Sequence, residues 1–324
     1  MAYQNKLLFR TYLYDTGKEH RNATCSSPDI ISHGQVPDPS RFFSDNYSSD
    51  PNQPANRQLK TNLIYTRVNN YQNLNEPVVG YIRLYKSWSS LYLNPETWLK
   101  NRLLTPQGKS YARVETEPGK NIAVAEDLFV IDGTSSPSFC LLGVVNTDTI
   151  ETIPEISGYS DYLEWIHSNP AVCARNLSVI SAGTREDLGE LYYYCNPEDH
   201  DIPVTFVFNV FNLPNKTLIG LTCESLKLSK EKQVDASECS IELKVNVPAG
   251  FKGYIKAYAS LPAGTVWPAD ARTNIESHLD AKPSDRIFRF GVSPSLVLKN
   301  TNLLSSYHSE NRLVLLGQCG VVFK

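Results

Sequence analysis

Two runs near the middle of the first half, TNLIYTRVNNY at 61–71 and VVGYIRLYKSW at 78–88, alternate apolar and polar residues and are separated by Asn and Pro. Alternation of period two is the mark of a half-buried strand, so these runs predict an antiparallel pair. A shorter aromatic strand, LLFRTYLY, is expected at 7–14. Between it and residue 60 the chain is rich in Ser, Pro, Asp and Asn, which favour turns over ladders. That stretch is expected to be a long ordered loop pinned to a core by Ile30, Ile31, Phe42 and Phe43. LYLNPETWLKNRLL at 91–104 has helical or extended-loop character, and strands are predicted at 111–115, 122–130 and 138–146.

Segment 147–170 breaks this rhythm. Within it, Tyr162, Trp165 and Ile166 fall at helical spacing behind Ser160, a candidate N-cap, which predicts a short linker helix. Strands are then predicted at 175–181, 190–195, 202–212, 217–227, 239–247 and 251–260, with further candidates at 286–291, 296–300 and 312–323. Short strands with turns every 8 to 15 residues and few amphipathic helices point to sandwiches rather than a parallel α/β sheet. The expected architecture is all-β, with one sandwich domain over 1–158 and a second over 159–324. IYTRVNNYQN at 64–73 and FVFNVFNLPN at 206–215 both end a hydrophobic strand in an Asn-rich turn, which suggests duplication.

Composition agrees with two cores: 324 residues, 41% apolar, with 18 Tyr, 12 Phe and 4 Trp. A formal charge of −3 and no basic run longer than two residues exclude a nucleic-acid partner as the expectation. Arg10, Asp15 and Lys18 interrupt any signal-like apolar stretch in 1–20. Synthesis as a soluble cytoplasmic protein is therefore expected, with export lacking a cleavable signal peptide as the alternative.

The chain holds seven cysteines, an odd number, with no C-x-x-C pair and no short spacing to a histidine, so neither a zinc site nor a full disulfide framework is indicated. Cys140 and Cys319 lie in apolar runs where thiols act as small hydrophobes, and Cys223 with Cys239 is the pair to test for a bridge.

Chemistry is sparse. None of the six histidines stands four residues from another, and no nucleophile elbow, P-loop or dinucleotide fingerprint occurs. No cofactor and no enzymatic activity are expected. Glu198, Asp199 and Asp201, around His200 in NPEDHDIP, are candidate ligands for a hard cation, against the plainer reading of a solvated turn between Pro197 and Pro203. Asp45, Asn46, Asp50 and Asn52 form a second oxygen-rich loop whose spacing fits no motif, and Glu186 with Asp187 reads as a turn. Sequons stand at Asn22, Asn46, Asn176 and Asn215.

SSPDIIS at 26–32, NLIYTRVNNY at 62–71 and VGYIRLYKSWSSL at 79–91 resemble bacterial immunoglobulin-like domains of the CARDB type, and IHSNPAVCARNLSVI at 166–180 resembles the entry into a second such domain. The resemblance implies tandem immunoglobulin-like sandwiches of the kind found in surface, adhesive and secreted bacterial proteins, and it carries no catalytic residues.

Aromatic residues are the remaining binding candidates: Tyr192, Tyr193 and Tyr194 in succession, and Trp88. In a strand, consecutive side chains face opposite sides, so the triple Tyr must place at least one ring on a surface or an interdomain face. The expected function is non-enzymatic binding or assembly with a protein partner, as an accessory of a bacterial toxin or surface system. A lectin-like module for glycan or membrane surfaces, and a hydrolase with a dispersed site, are the alternatives.

Overall fold

The computed structural model describes residues 6–17, 25–53, 61–71, 75–132, 138–150, 153–178, 188–299, 301–308 and 310–322. The chain is all-β, with antiparallel sheets, and divides into two units: residues 1–88, 94–156 and 161–179, and residues 89–93, 157–160 and 180–324. Among the described residues no helix is long and apolar enough to cross a membrane.

The first unit contains β1 (Leu7–Leu8), β2 (Ile30–His33), α1 (Pro39–Asp45), β3 (Thr61–Asn70), β4 (Val79–Trp88), α2 (Pro95–Trp98), β5 (Ala112–Glu115), β6 (Ile122–Val124), β7 (Phe129–Asp132), β8 (Ser138–Asn146), most of α3 (Tyr159–Ser168) and β9 (Val172–Ser178). One sheet is built around β3, which pairs with β1, β2, β6 and β7; the other has the order β5-β4-β8-β9. Leu7, Ile30, Ile64 and Val68 from the first sheet pack with Ile82, Leu84, Val114 and Leu141 from the second in one buried cluster.

The expected pairing of 61–71 with 78–88 is therefore corrected. Each run is a central strand of its own sheet, and the two meet across the core. Both are buried at most positions, Tyr65 to Val68 without a break, as strands covered on both faces must be. β9, expected after the linker, pairs with β8. α3 begins one residue before Ser160, so that serine lies in the first turn and is not the cap. Its Trp165 stacks on Trp98 of α2, with centroids 6.0 Å apart and planes 7° from parallel.

The long loop is held by charge as well as by Ile30, Ile31 and Phe43, all fully buried; Phe42 is 36% exposed. Asp29, with no exposure, accepts the backbone N–H of Arg10 at 3.0 Å and its Nε and Nη2 at 2.9 and 2.6 Å, together with Nε of Arg67 at 2.9 Å. Arg67 is equally buried and uses all five of its N–H groups: besides Asp29, Nη1 donates to the carbonyls of Phe43 and Asn46, and Nη2 to those of Pro28 and Ser49. The Tyr47 ring lies 3.4 Å from the Arg10 guanidinium carbon. Arg175 closes the far side with a two-pronged pair to Asp50 at 2.8 and 3.0 Å.

Burial opposes charge on both arginines. It dominates at Arg67, whose pKa falls below the ordinary value, whereas at Arg10 the hydrogen bond and charge of Asp29 outweigh it and the pKa rises.

The second unit holds β10 (Leu188–Cys195), β11 (Ile202–Phe211), β12 (Leu218–Cys223), β13 (Leu228–Gln233), β14 (Glu238–Val247), β15 (Lys252–Ser260), β16 (Arg272–Ala281), α4 (Thr301–Leu304) and β17 (Arg312–Val322). Its sheets have the orders β10-β15-β12-β13 and β14-β11-β16-β17. Inward rings such as Tyr194 and Phe206 meet between them at 5.1 Å. The segment expected as a strand at 286–291, and the described residues 296–299 of the one expected at 296–300, are instead short 3-10 turns and loop, and β13 and β16 lie where no strand is predicted.

Residues 89–93 are almost wholly buried here. Ser90 bridges to Tyr193 in parallel, the Tyr193 N–H donates to Ser89 O, and Leu91 N–H donates to Tyr193 O. The Leu91 carbonyl accepts Ser277 Oγ at 2.5 Å and lies 2.6 Å from where a Cβ on Gly317 would stand, so glycine is required there.

All seven cysteines are buried thiols outside any disulfide, Cys223 and Cys239 included, which corrects the suggested bridge.

Removing the shared acceptor should be the most damaging single change in the first unit. Asp29→Ala leaves two buried guanidiniums facing each other and is expected to cost about 3–5 kcal/mol. Urea denaturation followed by Trp fluorescence measures this; a loss under 1 kcal/mol would contradict a structural role for the carboxylate.

Candidate binding surface

The outward positions of β10, β15, β12 and β13 follow from strand parity and register. On β10, Leu188, Tyr192 and Tyr194 point inward and are buried, which leaves Leu191 and Tyr193 outside. On β15, Ile255, Ala257 and Ala259 are inward, and Tyr254, Lys256 and Tyr258 outward. Three rows cross the sheet: Tyr193 beside Tyr254; Leu191, Lys256, Thr222 and Ser229; Gly189, Tyr258, Gly220 and Glu231.

In the first row the Tyr193 and Tyr254 rings meet edge to face at 5.7 Å. Tyr254 is 55% exposed and Leu191 in the next row 58%. In the third row the Tyr258 ring leans across the neighbouring strand, and a Cβ on Gly220 would stand 2.2 Å from its Cζ. Its hydroxyl donates to the Glu231 carboxylate on β13, so one ring spans three strands and lies along the sheet. The Lys256 ammonium stands 5.7 Å from its centroid. Burial first, then the Glu231 carboxylate, push the Tyr258 pKa up to about 12.

The opposite sheet is treated differently. Val207, on the outer side of β11, is buried beneath Leu298 and beside Leu313, with Leu303 and Tyr307 packed against them. The Tyr307 hydroxyl pairs with Thr205, and Lys244 Nζ stands 3.7 Å over its ring. One outer face is roofed by the chain, and the other carries exposed aromatic and aliphatic groups.

Of the binding candidates, Tyr193 alone of the three tyrosines reaches this face. Tyr192 is buried, and Tyr194 is buried with its hydroxyl 2.8 Å from that of Tyr159, which also donates to the Cys195 carbonyl at 2.6 Å. Burial drives the pKa of both phenols far up. Trp88, 57% exposed at the end of β4, belongs to the first unit. Leu191, Tyr254 and Tyr258 were not singled out from sequence, although FKGYIKAYAS alternates aromatic or charged residues with small apolar ones.

The cation candidates separate. Glu198 accepts the Tyr159 N–H at 2.9 Å at the start of α3, Asp201 accepts Ala249 N–H at 3.1 Å, and Asp199 pairs with His200 at 3.0 Å in solvent. Among the described residues no group of three His, Cys, Asp or Glu is placed to hold a metal ion. In the other oxygen-rich loop, Asp50 pairs with Arg175 and the Asn52 side chain accepts Ser32 N–H at 2.9 Å. Glu186, Asp187 and Asn22 lie outside the described residues.

The Tyr258 phenol should titrate near pH 12, later than an ordinary tyrosine at about 10. Because the folded state holds this proton more tightly than the unfolded chain does, its contribution is complete below about pH 10 and is lost as pH rises towards 12. Difference absorbance between the native protein and Tyr258→Phe isolates its phenolate. Glu231→Gln is expected to bring the midpoint part of the way down, since burial, the larger cause, remains; an unchanged midpoint would remove the carboxylate from the account.

No protein-family model matches this chain. No curated protein matches it either. Among solved structures, red sea bream transglutaminase is similar at 8% identity, over 69% of this chain and 27% of that one, with a TM-score of 0.20. The calcium-binding domain CBD12 of CALX1.1 is similar at 9% identity, over 83% and 96% of the two chains, with a TM-score of 0.20, and CBD12 from CALX1.2 gives the same identity and coverage with 0.19. Scores at this level carry no argument about calcium or catalysis.

Proposed function

We propose that this chain is a non-enzymatic binding protein that engages a protein partner through the outer face of the β10-β15-β12-β13 sheet. One observation carries the reading: within a single sandwich the chain covers one outer face with its own Val297, Leu298, Leu303 and Tyr307 and leaves Leu191 and Tyr254 on the other more than half exposed. Exposed apolar groups beside a tyrosine pair suit a protein contact, because Tyr adds a large rigid area and a polar tip at small entropic cost. β13 supports the same choice of surface, since its SKEKQ sequence at 229–233 guards that edge of the sheet with charge. The role of accessory in a bacterial toxin or surface system, and the CARDB-type assignment within the sandwich class, rest on the likeness carried by SSPDIIS and the strands that follow it. In favour of that assignment, Asp29 and Ile30 of the motif lie at the centre of the first unit's buried hub and core.

The test compares capture by the tagged full-length protein with capture by a Leu191→Ser/Tyr254→Ala double variant from the same native extract. A partner retained by the first and reduced at least tenfold with the second is expected. Equal recovery by both would move the binding site elsewhere.

A further inference from the structure

The rows beyond the Tyr193–Tyr254 corner differ from it in chemistry. Tyr258 is held in a manner that few surface tyrosines are: its far end occupies the space a Cβ on Gly220 would take, and its hydroxyl is tied to Glu231 two strands away. The ring therefore lies along the sheet, partly buried, and has little rotamer freedom left to lose. Glu231 lies in its own row, and the next row sets the hydrogen-bonding groups Lys256, Thr222 and Ser229 beside it, with Leu191 at that row's β10 end. At about 3.4 Å per residue, Tyr258 and Tyr254 stand about 14 Å apart along β15.

We infer that Tyr258 is a stacking platform for a pyranose ring, and that the ligand of these rows is a glycan. The inference rests on the reading of this face as the recognition surface and adds the chemical class that the Tyr258 half of it takes. A pyranose has one face lined with C–H groups and a rim of hydroxyls. The C–H face is electropositive and matches the negative face of an aromatic ring. The rim needs paired donors and acceptors at the ring's edge, and carboxylate, ammonium and hydroxyl side chains supply both. The Tyr258–Glu231 bond fixes the phenol as a donor to protein, so the ring contributes its face and Glu231 retains acceptor capacity for sugar hydroxyls. A ring already fixed in position gives up less entropy on binding than a free one. The separation of about 14 Å sets the Tyr258 platform apart from the Tyr193–Tyr254 corner, with Lys256 standing between them on β15.

The plain structural account is that the ring shields the backbone at Gly220, as aromatic residues do for glycines in sheets. The two accounts differ in what they predict. The full-length protein is applied to immobilised cello-, malto-, xylo- and chito-oligosaccharides and to sialylated and uronic-acid-containing glycans, and positive members are titrated by affinity electrophoresis. At least one is expected to bind. Tyr258→Ala should weaken it at least tenfold, and Tyr258→Phe, which keeps the ring face, should stay within about threefold. Leu191→Ser/Tyr254→Ala should retain sugar binding while losing the captured protein partner. Thermal melting of each variant checks that the fold survives.

No binding to any sugar by the native protein, or equal binding by native and Tyr258→Ala proteins, overturns the inference. If the sugars are blank and partner capture still depends on Leu191 and Tyr254, the face is a recognition surface for protein alone. If sugars bind through Tyr258 and no protein is captured, the protein-partner reading falls instead.

Discussion

Asp29 sets its carboxyl group in a fully buried place, and the surrounding chain is arranged to make that tolerable. A lone buried carboxylate is costly; here two guanidiniums and four N–H donors compensate its burial. The second cation then needs its own compensation, and four backbone carbonyls of the long loop provide it at Arg67. Residues 28–49 are ordered because their carbonyls are the acceptors that Arg67 requires. The segment that carries β2 and α1 is thus tied to β3 through Arg67 as well as through the β2–β3 ladder.

That hub explains which parts of the fold were legible. Ile30, Ile31, Phe42 and Phe43 are expected to pin the long loop, and all but Phe42 are buried, whereas nothing in the sequence points to Asp29. Alternation located β3, β4, β8, β11, β14 and β15 because each has an apolar row facing a core. Alternation is silent on pairing, however: a hairpin and a crossing between sheets look alike in sequence, so the pattern alone predicts β3 and β4 as neighbours where the structure sets them in facing sheets. β16 was missed because its outward residues are Arg272, Asn274, Glu276 and His278 and its inward ones include Thr273 and Ser277, so no hydrophobic period stands out. β13 was missed because a charged edge strand reads as a loop.

The binding surface was half legible for a similar reason. Strand parity required one of the three consecutive tyrosines to differ from its neighbours, but which side faced the core depended on Tyr194 meeting Phe206 from the other sheet. Tyr258 looked ordinary, since its significance lies in Gly220 and Glu231, which are distant in sequence and are brought into its row by register. Acidic residues that suggested cation chemistry went to local tasks instead. Glu198 completes the start of a helix, as a carboxylate near the positive end of a helix dipole is favoured to do.

The short stretch 89–93 sets a schedule for the ribosome. Leu91 is made early, yet its carbonyl is satisfied by Ser277, 186 positions later. At about 5–20 residues per second, roughly 10–40 s pass between the two, during which an apolar piece of chain has no permanent place. The second sandwich is consequently the last part of the molecule that can be finished, and a translation product cut short before β16 leaves that early segment stranded, a natural handle for the chaperones and proteases that sort incomplete chains.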